Sequence, residues 1–185
     1  MYDIHLLFPT PILASKYNNK IQEFIDFAYQ TKEQHPSTQL SNRKGYQSPL
    51  LDIQLTHPIQ QLVDNILKEI TTKSTIHHKQ WININPTGAY NSTHTHPQSD
   101  YSVVYYLQNN NTSITFNHPD MHSAYNTIAF LHDRVGEQLR LSPQFRTTPR
   151  PGDLYIFPAY IPHSVDENTS TTDRISVAWN ISLEV

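Results

Sequence analysis

Histidines are the residues here whose types and spacing could do chemistry. The 185-residue chain holds eleven of them and no cysteine. The lack of cysteine excludes disulfides, zinc knuckles, iron–sulfur ligation and thiol catalysis together. Three runs matter. The first is Gly88-x5-His94-x-His96-x3-Asp100. On a strand, residues two apart share a face, so His94 and His96 converge on one point. Imidazole nitrogens suit Fe, Zn, Ni or Cu, and Asp100 would add a hard oxygen ligand. Taken alone, His-x-His is equally at home on a plain surface strand. The second run is Gly152-Asp-Leu-Tyr-Ile-Phe-Pro158-Ala-Tyr-Ile-Pro-His163. A turn at Pro151-Gly152 feeds a buried strand that stops at Pro158 and leaves His163 beyond a tight bend, free to turn back toward the pair. The third is Asp173-Arg174-Ile-Ser176. A buried Arg is costly unless it meets an anion. Its planar fork matches a carboxylate, and a Ser on the same strand face adds a bond. Near a metal, Arg174 and Ser176 would hold the far carboxylate of a dicarboxylic co-substrate. The plainer alternative is a surface ion pair of Arg174 with Asp173, Asp166 or Glu167.

These side chains need a scaffold. Two amphipathic helices are expected first. One covers about 18–34, with Ile21, Phe24, Ile25 and Ala28 on one stripe. The other covers about 56–73, with Thr56 as N-cap, Pro58 in the first turn, and Ile59, Leu62, Val63, Ile66, Leu67 and Ile70 on its apolar face. The polar stretch 37–54 between them reads as a wrapping loop. From residue 76 the pattern turns to short strands: 81–85, 102–107, 113–116, 145–148, 153–157 and 174–183, separated by Pro, Gly and Asn turns. The expectation is a mostly β chain with N-terminal helices, an antiparallel sandwich or jelly roll carrying two helices on its major sheet. One domain, 1–185, divides into helical support (1–75) and a jelly-roll core with the metal site (76–185). Met121–Gln144 is a long connection with apolar Ile128, Ala129, Phe130 and Leu131, of the kind often used as a lid or binding loop.

Composition narrows the classes. Hydrophobic residues make up 37% and charged residues 16%, both low for a globular chain, and Ser, Thr, Asn and Gln fill roughly a third of it. An aromatic share of 11% is too high for a disordered tail. Net charge is −3, so nucleic acid is not an expected partner. The longest apolar stretches are too short for a bilayer helix, and Met1–Lys16 lacks a basic region ahead of an apolar core. The expectation is a cytoplasmic protein with no membrane partner, in the host cytoplasm if phage-encoded.

A local His pair with one distant His is the ligand distribution of cupin-type sites. The order His94-x-His96-Pro97, Tyr105-Tyr106-Leu107, Pro151 through Pro158 to His163, then Arg174-Ile-Ser176 resembles the Fe(II)/2-oxoglutarate-dependent oxygenase superfamily. Phe8–Ile12 and Gly45-Tyr-Gln-Ser48 resemble elements of an oxygenase group from tailed phages and marine bacteria. The resemblance implies a double-stranded β-helix fold using Fe(II), 2-oxoglutarate and O2. It makes His163 the distal iron ligand and sets Arg174 on the C5 carboxylate of 2-oxoglutarate, assisted by Ser176 and by Tyr106 rather than Tyr105. It implies hydroxylation of a small molecule or a prolyl or other peptidyl substrate. The usual ligand set is two His and one carboxylate, yet alignment puts His96 at the acid's position. The site is then three-His (His94, His96, His163), or Asp100 swings in, or water or substrate fills the place. The resemblance favours three histidines.

Two other readings compete. A three-His cupin-type dioxygenase without 2-oxoglutarate would not need Arg174 and Ser176. A non-enzymatic jelly-roll binding or structural module would make the His spacing a coincidence. The remaining histidines read as structural: His77 and His78 as neighbours on opposite strand faces, His118, His122 and His132 in loops, and His5, His35 and His57 without assigned chemistry. Arg140, Arg146 and Arg150 read as a solvated face. Asn83 and Asn85 could reach co-substrate or substrate from inside the barrel, or simply face water. The sequence does not set the oligomeric state; antiparallel jelly rolls with exposed edges often pair into dimers, so a homodimer is one option.

Overall fold

The computed structural model describes residues 10–122 and 142–184. Twelve strands and two α-helices follow in chain order: β1 (Leu13–Lys16), α1 (Ile21–Gln34), β2 (Asn42–Arg43), β3 (Tyr46–Gln47), α2 (His57–Leu67), β4 (Thr75–His77), β5 (Trp81–Asn85), β6 (Tyr90–His94), β7 (Tyr101–Gln108), β8 (Ile114–Asn117), β9 (Gln144–Thr147), β10 (Asp153–Pro158), β11 (His163–Val165) and β12 (Arg174–Leu183). A seven-stranded sheet has the order β1-β10-β7-β12-β5-β3, with β4 also on β12; a five-stranded sheet has the order β2-β6-β11-β8-β9. All pairings are antiparallel. From β5 onward the chain crosses repeatedly between the sheets, which is a jelly roll.

Alternation along the central strands sorts the side chains. Ile175, Val177, Trp179 and Ile181 of β12, Ile82 and Ile84 of β5, and Val103, Tyr105 and Leu107 of β7 face outward. There they meet Phe24 and Ala28 of α1 and Ile59, Val63 and Leu67 of α2 in the main apolar cluster. The intervening residues face the second sheet. A smaller cluster lies there, with Val104, Tyr106, Ile114, Phe116, Phe157 and Ala178.

The helical support is as the periodicity requires, with shorter ends. Ile70 lies past α2 and is 46% exposed. Thr56 is not a helix cap: its backbone is already helical, and its hydroxyl donates to the Ile53 carbonyl at 2.7 Å, closing a 3-10 turn (Gln54–Thr56) ahead of α2. The expected wrapping loop carries β2 and β3, too short to show a pattern. Gly45 between them packs against Asn85, where a Cβ would come within 3.1 Å of that side chain. The Pro151-Gly152 turn is fixed by contact as well as by its φ of 88°. A Cβ on Gly152 would stand 2.1 Å from Asn18 Oδ1, and its backbone bonds both Tyr17 N and the Tyr106 carbonyl. The expected 121–144 connection, with Ile128–Leu131, His132 and Arg140, lies almost wholly outside the described residues, as do His5, Phe8 and Pro9.

Candidate active site

His94 ends β6, and His163 opens β11 directly opposite it. His96 lies two residues beyond β6, and the expected convergence of His94 and His96 is met there, with His163 joining from the neighbouring strand. His96 is held by a bond from its N to the Ala159 carbonyl at 2.8 Å. Ligand atoms of the three histidines all lie within 4.8 Å of one another. The ring centroids stand 4.3, 5.0 and 5.1 Å apart.

Backbone carbonyls set two of the tautomers. His94 Nδ1 lies 2.8 Å from the Ser92 carbonyl and His163 Nδ1 lies 2.9 Å from the Ile161 carbonyl. A carbonyl only accepts, so each Nδ1 carries the hydrogen and each Nε2 keeps its lone pair. His96 Nε2 is 3.3 Å from His163 Nε2. Burial then holds the rings neutral: His163 is lowered to about 3 and His96 to about 4, with mutual repulsion among the histidines adding to desolvation; His94 is also lowered. Neutral imidazoles with converging lone pairs are what a first-row metal cation needs. Two nitrogens about 2.1 Å from one ion at near right angles lie roughly 3 Å apart, so the spacing of His96 and His163 fits.

Asp100 is held elsewhere. Its carboxylate accepts from Leu183 N at 2.8 Å, and its backbone is tied to Ile181 and Ala159. It is therefore not part of the His cluster.

The same cavity of about 50 Å³ reaches Arg174, Ser176 and Tyr106. Arg174 is 2% exposed and donates to Asn91 Oδ1 at 2.7 Å and the Asp166 carbonyl at 3.2 Å. Among the described residues it makes no ion pair. Two of the three acids that could have paired with it are used otherwise, Asp166 by Arg146 and Asp173 by the Tyr29 hydroxyl, and Glu167 is exposed. Burial pulls the guanidinium below its ordinary value. A buried cation with only neutral acceptors is incomplete without an anion, and a carboxylate fits its fork. Ser176 follows on the same face of β12. Tyr106 is buried beside them and its phenol is pushed up by burial, so it is a neutral donor. Tyr105 faces the other way, and its hydroxyl donates to the Tyr17 carbonyl at 2.8 Å.

Two contributors escape a reading of the sequence, Asn91 and Trp81, and a third, Asn83, is one that the alternation of its strand offered to the interior. Asn91 holds the Arg174 fork and donates to Ser41 Oγ at 3.2 Å. Trp81 lies against His96, centroids 5.6 Å apart. Asn83 lines the cavity, and its Oδ1 is buried without a partner. Only the alternation of Trp81 and Asn83 with Ile82 and Ile84 hinted at these roles. His77 takes a structural one instead: it accepts from Trp179 Nε1 at 2.9 Å and so donates through Nε2 to Asp64 at 2.7 Å.

A jelly roll with three neutral histidines at one end of an internal cavity and an unpaired guanidinium in its wall defines a metalloenzyme built for a carboxylate co-substrate. Residues 79–180 match the family model described as "Putative 2OG-Fe(II) oxygenase". The chain belongs to this 2OG-Fe(II) oxygenase family, and its cofactors are Fe(II) and 2-oxoglutarate, with O2 as co-reactant. Solved structures agree in fold. A 2OG-Fe(II) oxygenase family oxidoreductase from Burkholderia pseudomallei superposes with a TM-score of 0.61 at 13% identity, covering 92% of this chain and 84% of that one. The viral collagen prolyl hydroxylase of Paramecium bursaria chlorella virus-1, solved with 2-oxoglutarate, gives 0.63 at 10%, covering 94% and 96%. A prolyl hydroxylase from Trichoplax adhaerens, in complex with a peptide fragment, gives 0.62 at 13%, covering 91% and 82%. No curated protein matches the chain by sequence. Among the described residues no helix is long and apolar enough to cross a membrane.

Proposed function

We propose that the protein is a hydroxylase that holds Fe(II) on His94, His96 and His163 and 2-oxoglutarate on Arg174 and Ser176. The observation that carries this reading is one cavity bounded by three converging neutral imidazoles and by a buried guanidinium without an acid. Bound together, iron, 2-oxoglutarate and O2 supply the oxidising power: a substrate C–H becomes C–OH while 2-oxoglutarate leaves as succinate and CO2. The chain supplies position and dryness. Ser92 and Ile161 carbonyls fix the rings of His94 and His163; Asn91 aims the Arg174 fork; Tyr106 offers a neutral phenol at the clamp. Phe157, Ile114, Val104 and Ala178 wall off water. A three-His set carries no anion, so the negative charge at the metal comes from the co-substrate alone. Peptidyl, including prolyl, groups are the proposed substrates, supported by the likeness in fold to prolyl hydroxylases.

The test is anaerobic titration of Fe(II) and then 2-oxoglutarate into metal-free protein, reading the visible charge-transfer band of the chelate. The band forms in the wild type and in Asp100→Ala, fails in His96→Ala, and needs far more 2-oxoglutarate in Arg174→Ala. Iron binding without a band overturns the co-substrate assignment. Loss in Asp100→Ala with retention in His96→Ala overturns the three-His set.

A further inference from the structure

Past His94 and His96 the cavity gives onto a larger cleft of about 590 Å³. Six consecutive residues, Ser92 through Pro97, line it, so it follows a single stretch of chain. The edge of that stretch is open. β2 pairs with β6 only at Asn42↔Asn91 and Arg43↔Tyr90, and one more bond, Ser92 N to the Ser41 carbonyl at 2.9 Å, ends the ladder. β2 is the outermost strand of its sheet. From Ser92 toward the metal cluster, no strand among the described residues pairs with β6 on that side.

The walls have a definite chemistry. Leu40 and Leu50 are 67% and 63% exposed, unusual for large apolar side chains, and both line this cleft with Trp81. Arg43 is the sole charged side chain among the described lining residues. Its Nη1 donates to the Leu40 and Asn42 carbonyls, which leaves its charge unneutralised.

We propose that the cleft takes an extended polypeptide segment, added as a strand along the edge that opens past Ser92, at Thr93–Thr95. Its apolar side chains rest on Leu40, Leu50 and Trp81, and an acidic one meets Arg43. Strand addition draws affinity from main-chain hydrogen bonds and selectivity from alternate side-chain pockets, which suits a cleft shaped like a strand and charged at one point. The segment's role as substrate rests on the oxygenase reading above; its binding does not.

The experiment uses the full chain and three pools of capped octapeptides, in which Leu, Val and Pro alternate with Glu, with Lys or with Ser. Binding is read from Trp81 fluorescence; the other tryptophan, Trp179, is buried. The acidic pool binds at least ten times more tightly than the basic one. The best acidic sequence is then N-methylated on its odd or its even residues. One form loses binding at least tenfold and the other keeps it, because only one edge of the segment faces β6. Leu40→Asp and Leu50→Asp, both at exposed positions, weaken binding about tenfold and leave the Fe(II)–2-oxoglutarate band intact. Equal binding of the two N-methylated forms, or tightest binding of the basic pool, overturns the proposal. So does a normal band with no peptide bound. If the methylation pattern holds and the band never forms, strand addition stands and the oxygenase reading falls.

Discussion

The two faces of the seven-stranded sheet are built from the same strands and behave as different materials. On the helix side the alternate residues of β5, β7 and β12 are apolar and mostly fully buried, and polar groups there pair off, as in Trp179–His77–Asp64. On the inner side the alternate positions of β5 and β12 carry Asn83, Asn85, Arg174 and Ser176, and the described histidines of the cluster face them from the second sheet. Among the described residues that face keeps orphaned acceptors on Asn83 and Asn85, a guanidinium without an ion pair, and imidazoles held neutral by burial. The outer face is spent on stability and the inner one on binding, with a boundary one residue wide along each strand.

The sharpest way to break that contrast is on the outer face. Trp179→Ala removes the largest buried side chain and strands His77, and costs about 3–5 kcal/mol, read as the shift in urea midpoint. The inner face responds in function instead. His163→Ala abolishes metal binding, read as iron stoichiometry, with stability of the metal-free protein unchanged or raised, since a buried polar group has gone. Arg174→Ala raises the 2-oxoglutarate dissociation constant about 100-fold, the weight of a charge-assisted bidentate contact, and Arg174→Lys about tenfold because a point charge replaces a fork.

The same histidines give the inner face a pH dependence. His96 and His163 are lowered to about 4 and about 3 in the fold and return to about 6.5 when unfolded. The unfolded chain therefore binds more protons between those values. Stability of the metal-free protein is full above about pH 6.5 and falls as pH drops toward 3. Urea midpoints across that range show the slope, and His163→Ala flattens it. The smallest expected change is Asp100→Asn, about 1 kcal/mol or less, with metal stoichiometry intact.

Much of the site was legible before any coordinates. Arg174 and Ser176 share a face because strands alternate, and Tyr106 parts from Tyr105 for the same reason. His-x-His reads as a converging pair and is one, although β6 stops at His94 and His96 is held beyond it by the Ala159 carbonyl. Thr56 looked like a cap because the signal is a residue type, while the backbone had already entered a 3-10 turn. The two-residue strands β2 and β3 left no periodicity to read, although they create the edge beside the metal cluster.

The sequence by itself determined which residues are apolar on which parity, where turns must fall, and which side chains can bind a cation or a carboxylate. Those follow from side-chain chemistry and the two-residue period of a strand. Only the tertiary structure decided that Asp100 serves Leu183 and not the His cluster, that Arg174 forms no ion pair among the described residues, and that Asn91 ties it to Ser41. Each depends on which distant backbone or side chain arrives first at a given group, and no spacing along the chain encodes that.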